Sequence, residues 1–324
     1  MEKSRKIKIA LGQMGLSGGN RGVFRQVTEE MAKAAAGAKA ELLCLPELSS
    51  CGYFIRREEL LQAAVPAEAE ASRIGETARK YGISIISGYP ERDGDRIYNS
   101  CVAVKNTGEL IGNVRKVNLW KSEKKRFSEG NDFPVLDTCT GKAAVILCYD
   151  LEFPEPARIV SMKGAELCPA AWSRPAEQRW KTDLAAAAVS NLVFVAGSNY
   201  CDEFCCGNAS LYGPDGRCRA PEREILLNIP GAGENKVFIF EIDKAEIQRE
   251  RKKIPYYEDW KGDIYARMMR EAWENRQGLG ESTERVQDGR RIKKGTAGQG
   301  WQSPGGRAID LARLCFFVPI FVFL

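Results

Sequence analysis

The stretch Ala143-Ala-Val-Ile-Leu-Cys148-Tyr-Asp-Leu-Glu-Phe-Pro-Glu155 runs apolar residues into a cysteine, then turns polar and reaches a proline. A short unbroken apolar run bounded by turn signals reads as a strand buried on both faces. The Pro154-Glu155 pair suits a first helical turn, so residues 155–163 are predicted to be helical. The same succession repeats on either side. Residues 7–13, 42–45, 83–88, 143–148, 167–170, 191–198 and 237–242 read as strands. Residues 23–38, 67–81 and 180–190 carry helical spacing or Ala-rich composition. Asn106-Thr-Gly108, between the strand-like runs 99–105 and 110–116, is a hairpin signal, and Asp93-Gly94-Asp95 marks another tight turn. Strands alternating with helices in this way predict a layered α/β fold whose sheets are covered by helices.

Cys148 is also the most chemically suggestive residue, because the chain holds no histidine. A thiol nucleophile needs a base, and its usual partner is imidazole. Here a carboxylate or a lysine must move the proton, which removes the papain-like and caspase-like readings. Two other apolar runs end in such groups. Glu47 closes Glu41-Leu-Leu-Cys-Leu-Pro46-Glu47, and Lys116 stands in Leu110-Ile-Gly-Asn-Val-Arg-Lys116-Val-Asn-Leu119. Taken singly, each has a plain alternative: a core cysteine, a turn glutamate, a solvated strand-end lysine. Their joint position at the ends of three strand-like runs is what points to a site.

These stretches carry more than three residues. Leu45-Pro46-Glu47-Leu48 precedes Cys51-Gly52-Tyr53, and Arg115-Lys116-Val117-Asn118-Leu119 precedes Glu123-Lys-Lys-Arg-Phe127 and Gly130. Cys148-Tyr149-Asp150 precedes Phe153-Pro154-Glu155. Pro169-Ala-Ala-Trp172, Asn191-Leu-Val-Phe194, Gly207-Asn-Ala-Ser210 and Pro214-Asp-Gly216 follow. In their order and spacing, as far as about Tyr265, the chain resembles the nitrilase superfamily of carbon–nitrogen hydrolases. The resemblance implies a four-layer α-β-β-α sandwich, assembled as a homodimer or higher homo-oligomer. It implies a cofactor-independent enzyme with a Glu-Lys-Cys triad of Glu47, Lys116 and Cys148. Cys148 would attack a carbonyl carbon, Glu47 would move the protons, and Lys116 with the Tyr149 backbone N–H would hold the oxyanion. Glu123 matches a second glutamate in a supporting role. Tyr53, Glu152 and Trp172 are candidates for substrate contact.

True nitrilases tend to follow the nucleophile with Trp-Glu, whereas Tyr149-Asp150 resembles the amidase and carbamoylase branches. The expected reaction is amidase hydrolysis of a small non-peptide amide, aliphatic or amino-acid-like, to carboxylate and ammonia through a cysteine thioester. An N-carbamoyl amidohydrolase is the alternative within the family. A non-catalytic binding or scaffold relative is the alternative of another class. Three positions depart from the family pattern. Glu152 stands where many relatives carry arginine, facing the pocket or pairing with Arg158. Asn118 replaces a usual histidine, and Ser190 replaces a common glutamate.

Bulk composition narrows the partners. From Ala266 onward ten Arg and Lys stand against six Asp and Glu, so most of the net charge of +5 lies there and the body is nearly neutral. That argues against nucleic acid as a partner and for a small-molecule amide. Cys201-Asp-Glu-Phe-Cys205-Cys206 lacks Cys-x-x-Cys spacing and histidine, so these thiols read as edging the site mouth rather than holding a metal. No nucleotide or metal cofactor is implied. Eleven cysteines spread through a large chain suit reduced thiols, and with no signal-peptide core at the N-terminus the reading is cytoplasmic. Residues 1–265 are expected to form the hydrolase domain. Residues 266–324 read as a flexible Gly- and charge-rich tail ending in the apolar run Cys315 to Leu324, too short for a membrane span. A membrane-surface or partner-docking tag, a packed terminal strand and translation past the gene's natural end are all open readings of that run.

Overall fold

The structure, a computed structural model, describes residues 6–16, 18, 21–171 and 177–276. The first half of the chain contributes β1 (Lys6–Gln13), α1 (Arg21–Gly37), β2 (Leu42–Cys44), α2 (Arg57–Ala63), α3 (Ala67–Tyr81), β3 (Ser84–Asp93), β4 (Arg96–Val104) and β5 (Leu110–Arg115). Next come β6 (Leu136–Thr138), β7 (Gly141–Ala143), β8 (Ile146–Leu147), α4 (Pro154–Met162), β9 (Leu167–Ala171), α5 (Glu177–Asn191) and β10 (Phe194–Ser198). The remainder is β11 (Ser210–Tyr212), β12 (Cys218–Arg219), β13 (Arg223–Asn228), β14 (Glu234–Asp243), α6 (Ala245–Lys253), α7 (Tyr256–Asp259) and α8 (Gly262–Glu274).

The strands form two sheets. One has the order β13-β14-β1-β2-β3-β4-β5, and the other β12-β11-β10-β9-β7-β6, with β8 also paired to β9. Pairing within β1-β2-β3 is parallel, as it is for β7, β8 and β10 against β9, and the flanking pairs are antiparallel. Successive side chains of a strand point to opposite faces, and this divides the core. Leu42 and Cys44 face a cluster shared with Leu147, Leu167, Phe194 and Ala196 of the second sheet. Leu43, between them, faces Phe24 and Met31 of α1 and Ile74 of α3. On the far side of the second sheet, Ile146 and Val195 pack on Val160 of α4 and on Trp180 and Leu184 of α5. The result is the four-layer α-β-β-α sandwich. Both faces of each sheet are covered, which is why its central strands read as continuous apolar runs.

Local signals behave as their chemistry requires. α3 ends at Gly82, whose φ of +68° closes the helix through its N–H to Ala78 O. α4 begins at Pro154, where a missing N–H is harmless. Two expectations need adjusting. The predicted strand 143–148 is interrupted: β7 and β8 keep one register against β9, with Ala143 opposite Leu167 and Ile146 opposite Ala170, and Cys148 already starts a 3-10 turn. The predicted strand 191–198 starts at Phe194, because α5 runs on to Asn191. β6 and β11 to β13 escaped sequence reading. β13 alternates exposed and half-buried residues at a sheet edge and so never forms an apolar run.

Contacts group the chain through Trp260 into one compact unit and the residues from Lys261 into a second, of which residues 261–276 are described. The tail readings for 277–324 lie outside the described residues. Among the described residues, no helix is long and apolar enough to cross a membrane.

Candidate active site

Glu47 leaves the carboxyl end of β2, where parallel strands of an α/β sheet ordinarily present their binding residues. The turn that holds it is tightly tied. Leu45 N donates to Ile86 O at 2.9 Å and Ser50 N to Gly88 O at 2.9 Å, while Leu48 sits at φ +52°. The Tyr200 hydroxyl, wholly buried, donates to Glu47 O at 2.8 Å. Lys116 follows β5, with its N–H bonded to Asn99 O at 2.8 Å. Cys148 follows β8 and is itself left-handed, at φ +48°. A non-glycine residue in that region is strained, and such strain collects at functional sites.

These three strand ends bring the charged groups together. Lys116 Nζ donates to Glu47 Oε1 at 2.8 Å and to Glu123 Oε1 at 2.8 Å, and all three side chains are excluded from solvent. Cys148 is 9% exposed. Burial alone would pull the Lys116 ammonium down. The negative charges available to Cys148, Glu47, Glu123 and Tyr53 outweigh it and hold the lysine well above its ordinary value. Lys116 therefore stays a cation. Burial pushes Glu123 up, and the Glu47 charge adds to that, against the pull of Lys116.

Supporting contacts fix each member. Asn99 Nδ2 donates to Glu47 Oε1 at 2.8 Å, the same oxygen that Lys116 reaches, so two donors set the rotation of that carboxylate. Glu123 accepts from the Tyr53 hydroxyl at 2.8 Å and from Trp120 N at 2.7 Å. Asp150 clamps the nucleophile's turn to the lysine's segment, accepting from Asn118 N at 2.7 Å, Asn118 Nδ2 at 2.9 Å and Val117 N at 3.2 Å. The ring of Tyr149 packs edge-on between Trp120 and Phe153, at centroid distances of 4.7 and 5.0 Å.

Among the supporting candidates, Glu123 lies in the cluster and Tyr149 adjoins Cys148. Tyr53, expected to meet substrate, spends its hydroxyl on Glu123. Glu152 is paired, but its partner is Arg179 of α5 at 2.9 Å rather than Arg158, whose Nη2 donates to Ser190 O at 2.6 Å. Trp172 lies outside the described residues. Asn118, a departure from the family pattern, turns out to supply two of the three donors to Asp150. Sequence reading missed Asn99 and Tyr200. A polar Asn99 buried at the start of the strand-like run 99–105 was a usable signal; Tyr200 gave none, since only the fold carries it to Glu47. Among the described residues no group of His, Cys, Asp and Glu side chains is arranged to hold a metal ion.

Comparison with known proteins agrees with this geometry. A family profile described as carbon-nitrogen hydrolase matches residues 8–252. A Schizosaccharomyces pombe protein named as a nitrilase is 32% identical over 239 residues, covering 70% of this chain and 85% of its own. A 2-oxoglutaramate amidase of Bacillus subtilis is 31% identical over 236 residues, covering 70% of this chain and 87% of its own. In fold, the chain is similar to an amidase from Nesterenkonia. That structure has the acetamide moiety of fluoroacetamide added covalently at its active-site cysteine, with a TM-score of 0.66 and 23% identity over 82% of this chain and 98% of that one.

Proposed function

The chain belongs to the carbon–nitrogen hydrolase family, and we propose that it is an amidase cleaving a small non-peptide amide to carboxylate and ammonia through a thioester on Cys148. One observation carries the reading: a permanently charged, solvent-excluded Lys116 held between Glu47 and Glu123 beside a strained cysteine. Glu47 takes the thiol proton as Cys148 Sγ attacks the carbonyl carbon. The ammonium has three hydrogens. Two are engaged by Glu47 and Glu123, and the third meets the developing oxyanion together with the Tyr149 N–H. One such donor is typically worth about 3–4 kcal/mol in the transition state. The tetrahedral adduct collapses as Glu47 returns the proton to nitrogen, ammonia leaves, and the C–S bond of the thioester remains. Glu47 then deprotonates a water that attacks the same carbon. Carboxylate departs, and the thiol regains its proton.

The names of the relatives favour the amidase branch over the carbamoylase branch. They include 2-oxoglutaramate amidase and omega-amidases of Danio rerio and Homo sapiens, so ω-amides of small dicarboxylates head the candidate substrates. The working form is read as a cytoplasmic homodimer, the compartment because cysteines dispersed through a large chain suit a reducing environment. Light scattering on the purified protein checks the assembly.

The test of the reaction is ammonia release from ω-amides, simple aliphatic amides, N-carbamoyl amino acids and nitriles, beside Cys148→Ala. Release from amides that vanishes in the variant supports the proposal. Faster turnover of N-carbamoyl compounds would move the chain to the other branch. Silence throughout, with Cys148 unreactive towards iodoacetamide, would leave a scaffold.

A further inference from the structure

We propose that Cys201 and Cys206 form a reversible disulfide across the loop beside the active site, a modification site separate from the catalytic cysteine. The two residues face each other in an isolated antiparallel bridge. The hydrogen bonds around them settle which kind of pair they make. Gly207 N donates to Tyr200 O at 2.8 Å and Asp202 N to Cys205 O at 3.2 Å, so the bonds flank the cysteine pair and none joins the two residues directly. In such non-hydrogen-bonded pairs the Cα atoms are roughly 4.5 Å apart and the side chains lie on one face. A disulfide needs a Cα separation of roughly 4.4–6.8 Å. The loop is thus already folded as an oxidised pair requires.

Side-chain positions agree. Cys201 Sγ lies over Gly207, the residue after Cys206: a Cβ placed on that glycine would be 2.9 Å from the sulfur. Cys206 feels the charge of Cys201. The neighbouring Cys205 points the other way, into the core with Met14 and Tyr200, as alternation along an extended segment requires. Both Cys201 and Cys206 are partly accessible, whereas Cys205 is buried.

The bond needs a two-electron acceptor, and a small dialkyl disulfide such as oxidised glutathione supplies it. One cysteine, as thiolate, displaces a thiolate from the reagent and forms a mixed disulfide. The second cysteine displaces the other half. Two S–H bonds become one S–S bond, the reagent gains two electrons, and it leaves as two thiols carrying the two protons. A dithiol reverses the step. Burial pushes both thiols above their ordinary values, so closure accelerates as pH rises.

The loop touches the catalytic machinery at its base and packs beside it at its tip. Tyr200, next to Cys201, holds Glu47 O, and the ring of Phe204 at the loop's tip packs on Phe54 at 4.9 Å, beside Tyr53. Closing the bond would latch that rim.

The test is to incubate the folded, full-length protein with oxidised glutathione, alkylate the remaining thiols under denaturation, and digest with trypsin and chymotrypsin. Cleavage after Phe204 turns the internal bond into a link between two peptides, which mass spectrometry resolves. The expected product is a Cys201–Cys206 link in the wild type and in Cys205→Ser, lost in Cys201→Ser and Cys206→Ser and released by dithiothreitol. Glutathione adducts on these cysteines without a link, or a link through Cys205, would overturn the proposal.

Discussion

Replacing Gly88 with alanine tests how firmly the fold must hold Glu47. Gly88 lies in β3, directly beneath the turn that carries the glutamate. A Cβ there would stand 2.3 Å from Leu48 N, 2.6 Å from Pro46 O and 2.9 Å from the Glu47 carbonyl carbon. All three are backbone atoms, so no side-chain rotation relieves the clash. Ordinary contact begins near 3.5 Å, which forces the turn back by about 1 Å. It cannot retreat without loss, because Tyr200 grips Glu47 O and Lys116 and Asn99 grip its carboxylate. Overpacking of this kind destabilises by about 1–3 kcal/mol, and a displacement near 1 Å at a reacting group lowers the rate about 10²-fold. The expected result is a folded Gly88→Ala protein with kcat for ammonia release down about a hundredfold and a urea midpoint only modestly lower. Gly112→Ala is the control. Its Cβ would meet Leu136 Cδ2 at 2.6 Å, the far end of a flexible side chain, so activity should stay within about threefold. A Gly88→Ala enzyme with wild-type kcat would show that Glu47 needs no such placement and would refute the reasoning.

Three other substitutions probe the same cluster. Lys116→Met removes the oxyanion donor and leaves two buried carboxylates without their cation, so ammonia release should fall at least about 10²-fold and urea unfolding should show a loss of about 3–5 kcal/mol. Asn99→Ala frees the rotation of the Glu47 carboxylate; kcat should drop about tenfold while KM stays within about twofold, a split that a loss of substrate contact would reverse. Asp150 carries a pH dependence. Burial pushes its carboxyl up to about 6, so between about pH 4 and 6 the fold binds a proton that the unfolded chain has released. Stability attributable to Asp150 is therefore highest below that window and declines as pH rises through it, by about 3 kcal/mol. The difference in unfolding free energy between wild type and Asp150→Asn should change by about that amount from pH 4 to pH 7, and a constant difference would contradict the burial argument.

The layered fold was legible because burial on both faces leaves a strong mark: apolar runs such as 42–45 and 167–170 have no polar side to show. Edge strands such as β13 have one, and their mixed pattern looks like loop. The candidate triad was legible for a related reason. Glu47, Lys116 and Cys148 each interrupt or end an apolar run, where an ionisable or nucleophilic group needs an explanation. What holds them was mostly hidden. Tyr200 reaches Glu47 across 153 positions of sequence, and only the packing of the two sheets makes them neighbours. Glu152 reads in the sequence as facing the pocket or pairing with Arg158 of α4, yet its partner is Arg179 of α5. Which neighbour a side chain reaches depends on how α4 and α5 pack on the same face of the second sheet, which periodicity does not encode.

A chain without histidine must still assign its protons, and the cluster constrains how. Lys116, raised by the negative charges around it, keeps its proton throughout and so serves as a fixed cation rather than as the base. Glu123 has both carboxylate oxygens engaged, by Lys116, the Tyr53 hydroxyl and Trp120 N, which leaves it poorly placed to take a proton from the thiol. That leaves Glu47, whose Oε1 takes both Asn99 and Lys116 and is thereby aimed. We assign it the base and acid steps on that elimination. The assignment has a consequence for Glu123. If it only positions Lys116, then Glu123→Gln should keep a pH profile close to wild type while lowering kcat about tenfold, because the amide still accepts from Lys116 with one oxygen. If Glu123 were itself the base, the same change would abolish turnover at every pH, and the roles given to the two glutamates would have to be exchanged.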